Sequence, residues 1–202
     1  MFPAAMTSST LPKTAKHWNL PNLLTYGRVA SVPIVVACLF WPDEFWMRWV
    51  ALGVFTIAGI TDFFDGYLAR AWSQQSTLGR MLDPIADKLL VAACLLVLVA
   101  DHTISGWSLW AAIVILCREI LVSGLREYLA ELRVSVPVST VAKWKTTLQM
   151  VALGFLIAGH AGEHVLPGTV RIGIALLWVA ALLTLYTGWD YLKAAFKHVV
   201  EE

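Results

Sequence analysis

Four aspartates stand in stretches otherwise apolar enough to lie in a membrane, and they come in two pairs. Asp62 and Asp65 belong to the run Asp62-Phe63-Phe64-Asp65-Gly66-Tyr67-Leu68-Ala69-Arg70, while Asp83 and Asp87 belong to Gly79-Arg80-Met81-Leu82-Asp83-Pro84-Ile85-Ala86-Asp87. A helix turns about 100° per residue, so Asp62, Asp65, Gly66, Ala69 and Arg70 share one side of the first run, and Gly79, Asp83 and Asp87 one side of the second. Two acidic faces can then meet. Four carboxylates brought together at a membrane helix end are costly unless paired, hydrated or bound to metal. An all-oxygen cluster suits a hard cation, Mg²⁺ or Mn²⁺. The small residues Gly66, Ala69 and Gly79 let backbones or a bulky ligand approach, and Arg70 can reach a phosphate or a carboxylate. The competing reading is an internal salt-bridge network of the same acids with Arg70, Arg80 and Lys88. Two acids at helical spacing on each of two successive apolar segments exceed what such packing needs.

Holding these residues requires membrane helices, and the composition supplies them. The chain has 202 residues, 58% of them hydrophobic and 14% charged, where soluble domains average about 25% charged; its mean hydropathy is +0.69. Apolar stretches run from Leu23 to Trp41, Phe45 to Ala71, Leu78 to Ala100, Trp107 to Leu132, Val141 to Ala161 and Val170 to Phe196, each long enough to cross a bilayer as a helix. The expected fold class is therefore all-α, a polytopic integral membrane protein with six transmembrane helices. Residues 22–202 form one membrane domain, and residues 1–21 a cytoplasmic N-terminal segment that could lie at the interface. That segment lacks the apolar core and small-residue cleavage site of a secretory signal, so it is expected to be retained.

Six crossings put both termini on one side. With that side inside, it collects every one of the 15 Lys and Arg residues except Arg48 and Arg171, which sets the orientation and makes the inner face positive. The net charge of only +1 leaves no surface of the kind that binds nucleic acid. Cys38, Cys94 and Cys117 lie in apolar runs with no Cys-x-x-Cys, so they read as small packing residues. Most of the ten tryptophans fall near segment ends, as interfacial anchors do. His160-Ala161-Gly162-Glu163-His164 has the order of one zinc-protease motif, but in a Gly-rich connection it has no helix to hold its imidazoles in register.

Read from Asp62 to Asp87, the arrangement Asp-x2-Asp-Gly-x2-Ala-Arg-x8-Gly-x3-Asp-x3-Asp resembles the signature of the CDP-alcohol phosphotransferase family, with all eight specified positions present. Leu20-Pro21-Asn22-Leu23-Leu24-Thr25-Tyr26-Gly27-Arg28, Arg118-Glu119, Leu125-Arg126-Glu127 and Lys143-Trp144-Lys145-Thr146-Thr147-Leu148-Gln149 are similar to the bacterial branch whose acceptor is sn-glycerol 3-phosphate. Ala142 departs from that branch, which often has glycine there. The resemblance implies the family fold and transfer from CDP-diacylglycerol to an alcohol, with release of CMP and two divalent metals, Mg²⁺ or Mn²⁺, in the site. It implies Asp62, Asp65, Asp83 and Asp87 as metal ligands, with Asp87 also the general base. Asn22, Thr25, Gly66, Ala69, Arg70, Ser76 and Gly79 are implied to bind the CDP-diacylglycerol. A homodimer in the bacterial inner (cytoplasmic) membrane, with termini and active site cytoplasmic, is the corresponding expectation.

Acceptors in the family range from glycerol phosphate and inositol phosphate to inositol, serine and choline. Arg118 inside the fourth segment, Lys143 and Lys145 at the mouth of the fifth and Arg28 on the first could hold a dianionic phosphate beside the metal site, whereas choline would want an aromatic cage. The expected acceptor is therefore sn-glycerol 3-phosphate, with inositol phosphate or another alcohol as the alternative. A cation-coupled transporter would spread polar residues along both halves of its spans. Here the acids cluster toward one face.

Overall fold

The structure, a computed structural model, describes residues 20–41, 44–72, 77–131 and 140–200; side chains are described except at 20–22, 62–72, 77–81, 83, 131, 140–143, 190, 194–195 and 197–200. Six helices follow one another: α1 (Leu20–Leu39), α2 (Phe45–Trp72), α3 (Thr77–Ala100), α4 (Ser108–Glu131), α5 (Thr140–Glu163) and α6 (Thr169–Val200). No strand occurs among the described residues, so the all-α expectation holds. Two helical stretches, Ser108–Ala130 and Thr169–Lys193, are long and apolar enough to cross a membrane, and Leu23–Leu39 and Phe45–Thr61 are shorter apolar helices. The first half of α3 and the start of α5 carry charges such as Asp87, Lys88 and Lys145, which interrupt their apolar runs.

Short connections force successive helices to reverse, and the side-chain contacts show which ends lie together. At one end, Arg48 at the start of α2 donates to the Asp101 carboxylate just after α3 (2.6 Å), to Thr103 (3.2 Å) and to the carbonyls of Leu156 and Ile157 late in α5 (3.4 and 3.3 Å). At the other, Arg28 early in α1 reaches Asp87 early in α3, and Arg126 late in α4 reaches Tyr191 late in α6. The six helices therefore run up and down. α1 packs against both α2 and α3, while α5 packs against α6 and α2, and α4 against α6. Val35, Phe55, Leu90, Cys94, Ile115, Leu153 and Leu177 meet in one core contributed by all six helices. Large apolar side chains such as Ile120, Trp107 and Leu182 remain on the outside, the arrangement a lipid environment permits.

The Arg48 end is locked by local chemistry. Gly159 has φ +47°, and a Cβ there would lie 2.2 Å from an Arg48 guanidinium nitrogen. Glycine thus makes room for a fully buried arginine that pairs with Asp101. Beyond it, the Glu163 carboxylate accepts from the backbone N–H groups of Gly168 (2.6 Å) and Val170 (2.9 Å), capping the start of α6. The Val170 and then the Gly168 N–H hold the Glu163 carboxyl below the ordinary carboxylate range. His164 packs edge-on against Phe45. The His-x-x-Glu-His order is thus spent on a helix cap and an aromatic contact.

Candidate active site

At the end opposite Arg48, five helices surround a cavity of about 990 Å³, at the upper end of the range of small-molecule sites. Its apolar wall comes from α2 and α3, including Phe55, Ala58, Leu90 and Val91; its polar wall comes from Asp87 and Lys88 on α3, Arg118, Glu119 and Arg126 on α4, Lys145 and Gln149 on α5, and Tyr191 on α6. The chain collects charge here because α3 and α5 start, and α2, α4 and α6 finish, at this end. A charged group is tolerated in such a bundle where it can reach the interface or a hydrated cavity. Pro84 also lines the cavity, three residues before Asp87. Without an N–H it breaks the hydrogen-bond ladder of α3 at this level.

Asp87 is the one of the four aspartates whose side chain is described. Its carboxylate is 51% exposed and lies 3.5 Å from the guanidinium of the fully buried Arg28. Lys88, next to it, donates to the Ser123 hydroxyl on α4. Across the cavity, Glu119 accepts from Lys145 and, at 3.4 Å, from Arg118. Arg118 also donates to the Thr184 carbonyl and to the Thr187 hydroxyl of α6, both at 3.0 Å. Arg126 donates to the Tyr191 hydroxyl at 3.4 Å, with its guanidinium carbon 5.5 Å from the ring centroid. Three cations and one acid thus form a cluster with a net positive charge, and the low-dielectric walls of a cavity strengthen its attraction for an anion.

The structure brings together three of the expected residues, Asp87, Arg118 and Lys145, on one cavity, and places Arg28 behind Asp87. Thr25, expected near the nucleotide, is buried one turn before Arg28 on α1. Asn22, Asp62, Asp65, Gly66, Ala69, Arg70, Ser76, Gly79, Asp83 and Lys143 lie outside the described residues or have side chains that do. Among the described residues no three His, Cys, Asp or Glu side chains cluster as metal ligands. The carboxylate of Asp87, half exposed toward the cavity, is a donor of the type a hard divalent cation takes. Sequence reasoning gave Arg126 and Gln149 a place in the runs that carry the resemblance but no role in the site, and it did not mark Tyr191. Arg126 stands two turns beyond Arg118 on α4, a spacing that could have placed both near one site. No local signal marked Tyr191.

A bundle with this cavity and cluster is a helical membrane protein with an anion-ready site, and sequence comparison gives it a family. The family model for CDP-alcohol phosphatidyltransferase matches residues 18–186, and the chain belongs to that family. Among similar proteins is the CDP-diacylglycerol–glycerol-3-phosphate 3-phosphatidyltransferase of Cereibacter sphaeroides, 38% identical over 92% of this chain and 99% of its own. Proteins of the same name from Rickettsia bellii (45% identical, covering 89% of this chain and 97% of theirs) and Shigella flexneri serotype 5b (43%, covering 92% and 100%) are similar too.

Proposed function

We propose that the chain transfers the phosphatidyl group of CDP-diacylglycerol to sn-glycerol 3-phosphate, forming phosphatidylglycerophosphate and releasing CMP. The observation that carries this reading is the cavity on which a half-exposed aspartate, Asp87, and a cationic cluster of Lys145, Arg118 and Arg126 converge from three helices. The relatives' names support the choice of donor and acceptor. In this reading Lys145, Arg118, Arg126 and Lys143 attract the acceptor phosphate. Asp87 takes the proton of the attacking hydroxyl as its oxygen bonds to the phosphatidyl phosphorus, while the phosphorus–oxygen bond to CMP breaks and its electron pair leaves with CMP. Arg28, buried behind Asp87, fixes the carboxylate for that transfer. Asn22, Thr25, Gly66, Ala69, Arg70, Ser76 and Gly79 would hold the CDP-diacylglycerol. Mg²⁺ or Mn²⁺ held by Asp62, Asp65, Asp83 and Asp87 would neutralise the charge on the two donor phosphates.

The same reading places all six helices across a bacterial inner membrane, with the cavity end facing the cytoplasm and the chain paired as a homodimer. The excess of Lys and Arg at the cavity end supports that orientation. The test is CMP release by the purified protein with CDP-diacylglycerol and, in separate reactions, sn-glycerol 3-phosphate, inositol phosphate, serine or no acceptor. Release is expected with sn-glycerol 3-phosphate and to depend on added divalent metal. Equal release with serine would refute the acceptor assignment.

A further inference from the structure

Gln149 is a polar group of the cavity that this network leaves out. It lies one turn beyond Lys145 on the same face of α5 and lines the cavity. Its side chain is buried, and its amide oxygen has no hydrogen-bond partner among the described residues. Buried amides are normally satisfied, and one left unpaired on the wall of a cavity points to a partner that arrives from outside. Phe55, Ala58, Leu90, Val91 and Met150 make much of the wall apolar, and none of its described polar side chains bonds the Gln149 oxygen. An amide both donates and accepts, and so does an alcohol hydroxyl.

The direction along α5 says which hydroxyl. Lys145 and Gln149 are separated by about 6 Å on their helix face, a length comparable with glycerol phosphate. Asp87, Lys145 and Gln149 border one cavity, so an acceptor with its phosphate at Lys145 and its reacting hydroxyl at Asp87 has its middle carbon in the space that the Gln149 side chain lines. We propose that Gln149 recognises the non-reacting secondary hydroxyl of the acceptor and thereby makes the site selective for a polyol phosphate over a simple hydroxyalkyl phosphate. This rests on the glycerol 3-phosphate reading above.

The test compares sn-glycerol 3-phosphate with 3-hydroxypropyl phosphate, which keeps the reacting hydroxyl and the phosphate but lacks the secondary hydroxyl. CMP release is measured at saturating CDP-diacylglycerol for the wild type, Gln149→Met and Gln149→Asn. The wild type is expected to favour sn-glycerol 3-phosphate in kcat/KM by about 30-fold or more, because a site built to bond a hydroxyl discriminates against the analogue lacking it. Gln149→Met should bring the ratio to within about threefold by losing rate on sn-glycerol 3-phosphate alone. Gln149→Asn, which keeps a shortened amide, should fall between and serves if the methionine variant does not fold. An unchanged ratio in both variants, at whatever absolute rate, overturns the proposal, since a purely structural amide would affect both acceptors equally. If the wild type releases CMP with neither phosphate but does so with another alcohol, the acceptor reading itself fails and takes the proposal with it.

Discussion

Replacing Lys145 by methionine removes a positive charge from the cavity while keeping the length of the side chain. In the structure the lysine does two things: it lines the cavity, and it donates to Glu119, a carboxylate also reached by Arg118 at 3.4 Å. A charge-assisted hydrogen bond to a phosphate contributes about 1.5–3 kcal/mol, and about 1.4 kcal/mol is a factor of ten. The KM for sn-glycerol 3-phosphate should therefore rise about 10- to 150-fold. The KM for CDP-diacylglycerol should change less than about threefold. The complication is Glu119, left with Arg118 as its remaining cation. Glu119→Gln in the same background removes that imbalance, and the double variant separates the two roles. The assay is CMP release as a function of sn-glycerol 3-phosphate at saturating CDP-diacylglycerol. If Lys145 holds the acceptor phosphate, the double variant stays as impaired as Lys145→Met. A return of KM to within about twofold of wild type would show that the lysine only balances Glu119, and the phosphate assignment would be wrong.

The other predictions address different parts of the molecule. Asp87→Asn should lower turnover by about 10² or more while helical content by circular dichroism is preserved; near-normal turnover at saturating divalent metal removes Asp87 from the base role. Gly159→Ala should lower the unfolding temperature in detergent with no change in either KM, because it forces a side chain onto a backbone at φ +47° and into the Arg48 guanidinium; a variant as stable as wild type would contradict the lock at that end. The folded Glu163 carboxyl titrates below its ordinary value of 4.5, so its contribution is complete above that value and is lost as pH falls through the depressed folded value. The wild type should therefore lose more thermal stability than Glu163→Gln on acidification below about pH 4.5, and parallel losses in the two proteins would count against the cap. For topology, in a background with Cys38, Cys94 and Cys117 replaced, Gln74→Cys, between α2 and α3, should react with an impermeant thiol reagent from the cytoplasmic side alone. Val165→Cys should react from the outside alone. Val165 is 71% exposed, whereas a side chain at Gly162 would press on Thr169. Labelling of Gln74→Cys in sealed cells would invert the orientation.

The helices themselves were legible in the amino-acid order. Apolar runs interrupted at Trp41-Pro42, Ser73-Gln74, Asp101-His102, Pro137 and Pro167-Gly168 anticipated six helices, and the observed bounds fall within a few residues of those runs. The reason is local: a long apolar segment must satisfy its backbone within itself, and loop residues end it. Family membership was legible for the same reason, since the Asp62 to Asp87 signature is a spacing along two neighbouring segments. Its side-chain geometry from Asp62 to Asp83 lies outside the described residues.

What the order of residues could not determine is which partners each charge takes. Arg118 read as a free phosphate ligand from its depth in an apolar run, yet its guanidinium also binds the Thr184 carbonyl and the Thr187 hydroxyl, 66 and 69 positions away. Arg48 read as one of two outer charges, and only packing showed it buried against Asp101, Leu156 and Ile157, with Gly159 vacating the space it fills. Gln149 was legible only as the last residue of the run from Lys143. Its unpaired oxygen stands beside a cavity whose apolar wall comes from α2 and α3, remote in the chain. Sequence sets which faces of a helix are apolar through a period of about 3.6 residues. Which polar groups on those faces find one another depends on how the helices cross, and that is decided only when all six pack.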